Sequence, residues 1–234
     1  RYSNSLGTIL KMSKTVLVVA AHTDDEALGC GGTIARHVAE GDTVYAVFLA
    51  DGVTSRPDTN SAELAQRNFA AAKAHEILGI KKAYMLGFPD NRVDSVPLLE
   101  IVQKLESVLH EVQPQVVYTH HNGDLNVDHR ITHQAVLTAC RPVPGFSVKE
   151  IYAFEVLSAT EWNTPGSSPF IASIYVDISE FLEIKINALN SYALEMREAP
   201  HSRSILNARR LAELRGSIVG INAAEALMPV RVIR

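Results

Sequence analysis

The stretch Thr15-Val16-Leu17-Val18-Val19-Ala20-Ala21-His22-Thr23-Asp24-Asp25-Glu26 decides the fold. Its first part is a short, valine-rich apolar run without polar alternation, which reads as a strand covered on both faces. One imidazole and three carboxylates follow at once, at the carboxyl end of that strand, where open α/β sheets bind their ligands. Outward from it, Thr43–Ala50, Lys82–Gly87 and Gln115–His120 repeat the strand pattern. Stretches of helical period separate them: Glu26–Glu40, Ala62–Leu78, Pro97–Val112, Ile131–Thr138, Ser179–Tyr192 and Ser204–Ser217. Strands alternating with helices predict a doubly wound, Rossmann-like α/β fold with a mostly parallel sheet and helices on both faces. Beyond Arg141, Lys149–Leu157 and Ser173–Ile178 read as later strands of the same sheet, antiparallel at its edge. The loop Ser158–Ser168 between them carries the single tryptophan, Trp162.

Composition narrows the class. The chain has 234 residues, 47% hydrophobic and 21% charged, which excludes disorder and fits one globular domain. A net charge of −4 gives no basic footprint for nucleic acid. Apolar runs fall far short of the roughly 20 residues a membrane helix needs, so membrane insertion is not expected. The two cysteines, Cys30 and Cys140, form no CxxC pair and point to a reducing, cytoplasmic setting. Met12 stands just before the first strand; residues 1–11 are expected to be a leading extension and 12–234 one domain.

Gly29, Gly31 and Gly32 do not make a nucleotide loop, because the turn that would cradle phosphate is acidic. Four of the nine histidines, His120, His121, His129 and His133, crowd the end of the fourth strand and the segment after it. If strands one and four are neighbours at the switch point, His22, Asp24, Asp25 and His129 converge, and two imidazoles with a carboxylate suit a metal. His129 and His133 have the spacing of a metalloprotease helix. Arg130 stands where that motif needs its glutamate, so His133 reads as a helix-face residue.

The string Ala21-His22-Thr23-Asp24-Asp25-Glu26 with the later Asp128-His129, in element order from Thr15 to about Ile178 and with Gly87-Phe88-Pro89-Asp90 after the third strand, resembles the PIG-L/LmbE-like zinc-dependent N-deacetylases. The resemblance implies that His22, Asp25 and His129 hold one Zn²⁺ per chain, other divalent metals being able to use the same ligands, with Asp24 as general base. It implies removal of an acetyl group from an amino sugar or glycoconjugate, with Arg67 and Asp90 as sugar contacts. The family's HPDH reads Asn126-Val127-Asp128-His129 here, so Asn126 stands where relatives carry an imidazole. Asn126 can donate to an oxyanion but cannot act as an acid. Protonation of the leaving amine then falls to Asp24, with His121 as the nearest spare imidazole. Asp128 is expected to orient His129 or to cap the helix. His201, Arg203, Arg209, Arg210 and Arg215 are cations that either meet an anionic part of the substrate or pair with acids such as Glu213 and Glu225. A deacylase of another small amide and a catalytically impaired sugar-binding homologue are the alternatives. Self-association into a homo-oligomer is expected from the habit of enzymes this size.

Overall fold

The computed structural model describes residues 12–50, 61–166 and 168–234; the leading segment 1–11 lies outside them. A seven-stranded sheet runs through the molecule in the order β3-β2-β1-β4-β5-β7-β6. The strands are β1 Thr15–Ala20, β2 Thr43–Ala50, β3 Lys82–Phe88, β4 Val116–His120, β5 Glu150–Phe154, β6 Ile174–Asp177 and β7 Ala224–Val232. The helices are α1 Asp25–Ala39, α2 Ser61–Leu78, α3 Leu98–Val112, α4 Val127–Ala139, α5 Leu182–Ser191 and α6 Ile205–Ile218. Strands β1 to β5 are mutually parallel, with β1 paired to both β2 and β4.

Alternation along β1 divides the core. Val16, Val18 and Ala20 face a cluster with Leu28, Ile34, Leu78, Leu182 and Ala208, whereas Leu17 and Val19 face one with Ile101, Leu105, Ala135 and Val136. Each fully buried Val or Leu contributes about 1.5–3 kcal/mol, so a double-faced strand is a strong anchor for the turn that leaves it. The glycines after the acidic turn serve packing. A Cβ at Gly29 would run into the Phe154 ring, and one at Gly32 would meet Ile178 at 2.8 Å, so α1 lies directly on the sheet.

Three expectations are corrected. The antiparallel partner is β7, a strand not read from the sequence, which pairs antiparallel with both β5 and β6. Its Pro229 is accommodated beside a register shift at Ile151/Tyr152, where a missing ladder donor costs least. Helix α4 starts at Val127 rather than Ile131, because Asn126 caps it: its side-chain oxygen accepts from the Asp128 N–H at 2.8 Å. Pro97 is the residue before α3, not its first turn. Among the described residues no helix is long and apolar enough to cross a membrane.

Candidate metal centre and active site

Parallel pairing of β1 with β4, in register at Val19 and Thr119, brings the turn after Ala20 beside His120 at the end of β4. The Ala21 N–H donates to His120 Nε2 at 2.9 Å, fixing the turn from the neighbouring strand. The chain then reverses into α1 through Asp24, whose φ of 117° is rare for an L residue and costs of order 1–3 kcal/mol. The His22 N–H closes the turn on Asp25 Oδ2 at 2.9 Å.

Three imidazoles surround that carboxylate. His22 Nδ1 and His129 Nε2 each lie 3.3 Å from Asp25 Oδ2, and His120 Nε2 lies 3.4 Å away. One ligand atom each from His22, Asp25 and His129 fit within 4.8 Å of one another, and all three residues are buried. Asp25 Oδ1 and His129 Nε2 have no hydrogen-bond partner there. Buried polar atoms are almost always satisfied, so a convergent, unpartnered N/O set fits a divalent cation. His120 fits such a site less well, since its Nε2 already takes the Ala21 N–H; it stacks on His129 with centroids 3.9 Å apart.

The groups behind these atoms orient them. His22 Nε2 faces Asp128 Oδ2 at 3.0 Å and Asp90 Oδ1 at 3.1 Å, which leaves Nδ1 for the shared centre. Asp128 is itself held by the N–H groups of Asn91, at 2.7 Å, and Val93, at 3.0 Å. Thus Asp128 supports His22 rather than His129, and it receives a cap instead of supplying one. Asp124 takes the place expected for it, with Oδ2 3.2 Å from His129 Nδ1. Burial opposes charge on both imidazoles. For His22 the carboxylates of Asp128, Asp25 and Asp90 overcome it and lift the pKa well above the usual range; for His129, Asp25 and Asp124 raise it. Burial also works to raise Asp25, but His129 and His120 outweigh it and hold its carboxyl well below the ordinary range.

Asp24 is the outlier among the acids. It is fully buried; Oδ1 has no partner and Oδ2 accepts from Arg203 Nη1 at 2.9 Å. Burial, with the adjacent Asp25 charge, pushes its pKa up to about 7 against the opposing pull of Arg203 and Arg67. A carboxyl titrating near neutrality is suited to taking and returning a proton.

The other residues singled out from sequence fall around this centre. Arg67 Nε donates to Thr23 Oγ1 at 3.2 Å and Nη1 to Glu195 Oε1 at 2.9 Å. Asp90 abuts His22, as above, and Asn126 uses its oxygen as the helix cap while Nδ2 donates to Asn91 Oδ1 at 3.3 Å. His121 donates Nε2–H to the Ser168 carbonyl at 2.8 Å, and His133 Nδ1 lies 2.8 Å from the His120 carbonyl, so neither joins the cluster. Of the C-terminal cations, Arg209 pairs with Glu183 and Arg215 with Glu155, while Glu225 belongs to Lys185. Sequence reasoning left Arg203 among several arginines; only its contact across 179 residues to Asp24 distinguishes it.

Comparison with known proteins places the chain in a family. The family described as PIG-L, GlcNAc-PI de-N-acetylase, matches residues 17–140. An uncharacterised deacetylase, YaiS, from Escherichia coli strain K12 is 28% identical over 185 residues, covering 76% of this chain and 90% of the relative. The diacetylchitobiose deacetylase of Thermococcus kodakarensis is 27% identical over 201 residues, covering 79% and 71%. Among solved structures, GalB, the 4-carboxy-2-hydroxymuconate hydratase of Pseudomonas putida KT2440, superposes with a TM-score of 0.74 at 24% identity, covering 94% of this chain and 98% of that one. At that identity the likeness is one of fold.

Proposed function

The chain belongs to the PIG-L family, and from that premise we propose that it is a zinc-dependent hydrolase that removes the N-acetyl group from an amino sugar or glycoconjugate. The observation that carries this reading is the convergence of His22, Asp25 and His129 around unpartnered buried atoms, with Asp24 beside them. His22, Asp25 and His129 would hold the cation, which when bound supplies charge stabilisation to the amide carbonyl and acidifies a water.

The remaining work belongs to the chain. Asp24 Oδ1, the oxygen that Arg203 leaves free, accepts a proton from the attacking water. The same carboxyl returns that proton to the amine as the C–N bond breaks, so water and amide become acetate and free amine. Arg203 fixes Asp24 by the 2.9 Å contact and keeps its basicity from rising further. The strained backbone at Asp24 turns its side chain to Arg203 while Asp25 faces His22, His120 and His129, where the cation would be held. Asn126 contributes no proton; its Nδ2 is the group that remains for a substrate oxygen. Arg67 and Asp90 are the proposed sugar contacts. Their present partners, Thr23, Glu195 and His22, tie them to the same turn.

Acetate release across a panel of N-acetylated amino sugars, with metal-replete protein, tests the reaction. Asp24→Asn should keep its metal and lose about 10²–10⁴ in kcat, the usual worth of a general base. No acetate from any member of the panel, or full activity in Asp24→Asn, removes the reading. Acetate from long-chain amides alone moves it to the deacylase alternative.

A further inference from the structure

The acidic turn carries a third carboxyl, Glu26, that neither the candidate metal cluster nor the proposed proton transfers use. It is fully buried. Both of its oxygens are taken, and by groups from distant parts of the chain. Oε2 reaches back to accept from the Asp24 N–H at 3.0 Å, and Oε1 accepts from the Tyr192 O–H at 2.6 Å, across 166 residues. His75 Nε2 stands 3.6 Å from the same Oε1. A glutamate in the first turn of a helix that reaches back to the N–H of the residue before it belongs to ordinary capping chemistry. What sets this one apart is the residue it caps. Asp24 is the proposed base, and its φ of 117° lies where an L residue stays only when its surroundings hold it.

The far end of this contact is firmly placed. Tyr192 is buried at 1% exposure and packs in the core that α1 shares with α5. A second tether starts from the same place. The Glu195 N–H donates to the Tyr192 carbonyl at 2.8 Å, and Glu195 Oε1 accepts from Arg67 Nη1 at 2.9 Å, whose Nε donates to Thr23 Oγ1 at 3.2 Å. One turn after α5 therefore holds two consecutive residues of the acidic turn, Asp24 by way of Glu26 and Thr23 by way of Arg67. We propose that Glu26, backed by the Tyr192 hydroxyl, is a positioning residue for the reaction: it fixes the Asp24 backbone in the conformation that keeps the Asp24 carboxyl against Arg203 and beside the metal ligands. The proposal rests on the reading of Asp24 as base and deepens it. A base displaced by a fraction of an ångström loses rate without losing substrate, because geometry at the reacting atoms is felt in kcat.

Two readouts test the brace, one of them independent of turnover. In metal-replete protein, exchange of the Asp24 amide proton, followed by NMR, should quicken about 10–100-fold in Glu26→Ala, the worth of a hydrogen bond to a carboxylate, while the amides of β1 keep their protection. With an N-acetylated sugar that the wild type turns over, Glu26→Ala should lose about 10²-fold in kcat, with KM and metal content changed less than twofold. Glu26→Gln keeps an acceptor for the Asp24 N–H and should recover most of the lost rate. Tyr192→Phe removes only the hydroxyl and should cost about three- to tenfold in kcat with a smaller rise in Asp24 exchange. An Asp24 amide as protected in Glu26→Ala as in the wild type, a glutamine no better than alanine, or a loss of metal that matches the loss of rate would overturn the proposal. If Glu26→Ala does not fold, Tyr192→Phe decides: unchanged kcat and unchanged Asp24 exchange there overturn it equally. The two readings fail separately. Wild-type protein that releases no acetate yet loosens at the Asp24 amide in these variants sinks the reaction alone, and an active enzyme whose kcat ignores Glu26 and Tyr192 sinks the brace alone.

Discussion

Helix α1 passes through two buried polar clusters that differ in how completely they are satisfied. At its start, Asp24 Oδ1, Asp25 Oδ1 and His129 Nε2 are buried without hydrogen-bond partners. Halfway along, the helix breaks at Cys30, with φ −147°, and Glu225 of β7 accepts from Gly32 N at 2.9 Å, Thr33 N at 2.7 Å and Thr33 Oγ1 at 2.6 Å. Lys185 neutralises it at 2.6 Å and donates also to the Leu28 carbonyl at 2.8 Å. Both clusters sit in equally dry surroundings. The second spends its polar atoms on the fold itself; the first holds them ready for something from outside. Burial of charge therefore does not mark the candidate site in this protein, whereas convergence of unpartnered atoms from several residues on one point does.

Substitutions on either side put that contrast to the test. The largest effect is expected at the open cluster: His129→Ala should take metal content, read by elemental analysis, from about one ion per chain to near none, and acetate release with it. Retention of stoichiometric metal would erase the distinction. At the closed cluster, Lys185→Met strands Glu225 as a buried lone charge and should cost about 3–5 kcal/mol in chemical denaturation of metal-free protein, while metal stoichiometry of the folded fraction holds. A loss under about 1 kcal/mol would mean the clamp is ornamental.

A finer distinction comes from pH. His22 and His129 have raised pKa values in the metal-free fold, since Asp128, Asp25, Asp90 and Asp124 favour their charged forms over the penalty of burial. Protons therefore compete with the cation at low pH, and release of them should make metal affinity fall about tenfold per pH unit for each proton displaced as pH drops below those raised values. Titration with a metal-sensitive dye across pH reads the slope, and a flat profile contradicts the ligand set. The smallest effect belongs to Asn126→Ala, which should cost about 1 kcal/mol by uncapping α4. A fall in kcat with KM and metal content unchanged in the folded protein would show that Nδ2 also serves the reaction.

Much of this was legible beforehand because it is local. The apolar run Val16–Ala20 followed by His22, Asp24 and Asp25 names both a buried strand and the cluster at its end, and no distant contact alters either. The parallel neighbours followed from alternation of strand and helix. Strand β7 was not legible: Ala224-Glu225-Ala226-Leu227-Met228-Pro229 is built of helix formers, a charge and a proline, and only pairing with β5 and β6 makes it a strand. Asn126 was legible only in part. The resemblance drew it out as an altered catalytic group, while its place before an apolar helix was also a capping signal, and the cap is what its oxygen makes. The roles of Arg203 and Glu225 were invisible for one reason, since each acts on a group far away in sequence.

The placement of β7 has a consequence for the order of synthesis. Thr33 leaves the ribosome 192 residues before Glu225, the carboxylate that covers its N–H. Throughout that interval the nascent chain carries a fractured helix with bare amides beside its future reaction centre. Satisfaction of those amides must wait for a strand that threads between two others made earlier, so a stalled or shortened translation product inherits the histidines and aspartates yet lacks the carboxylate that closes the break in the helix they start.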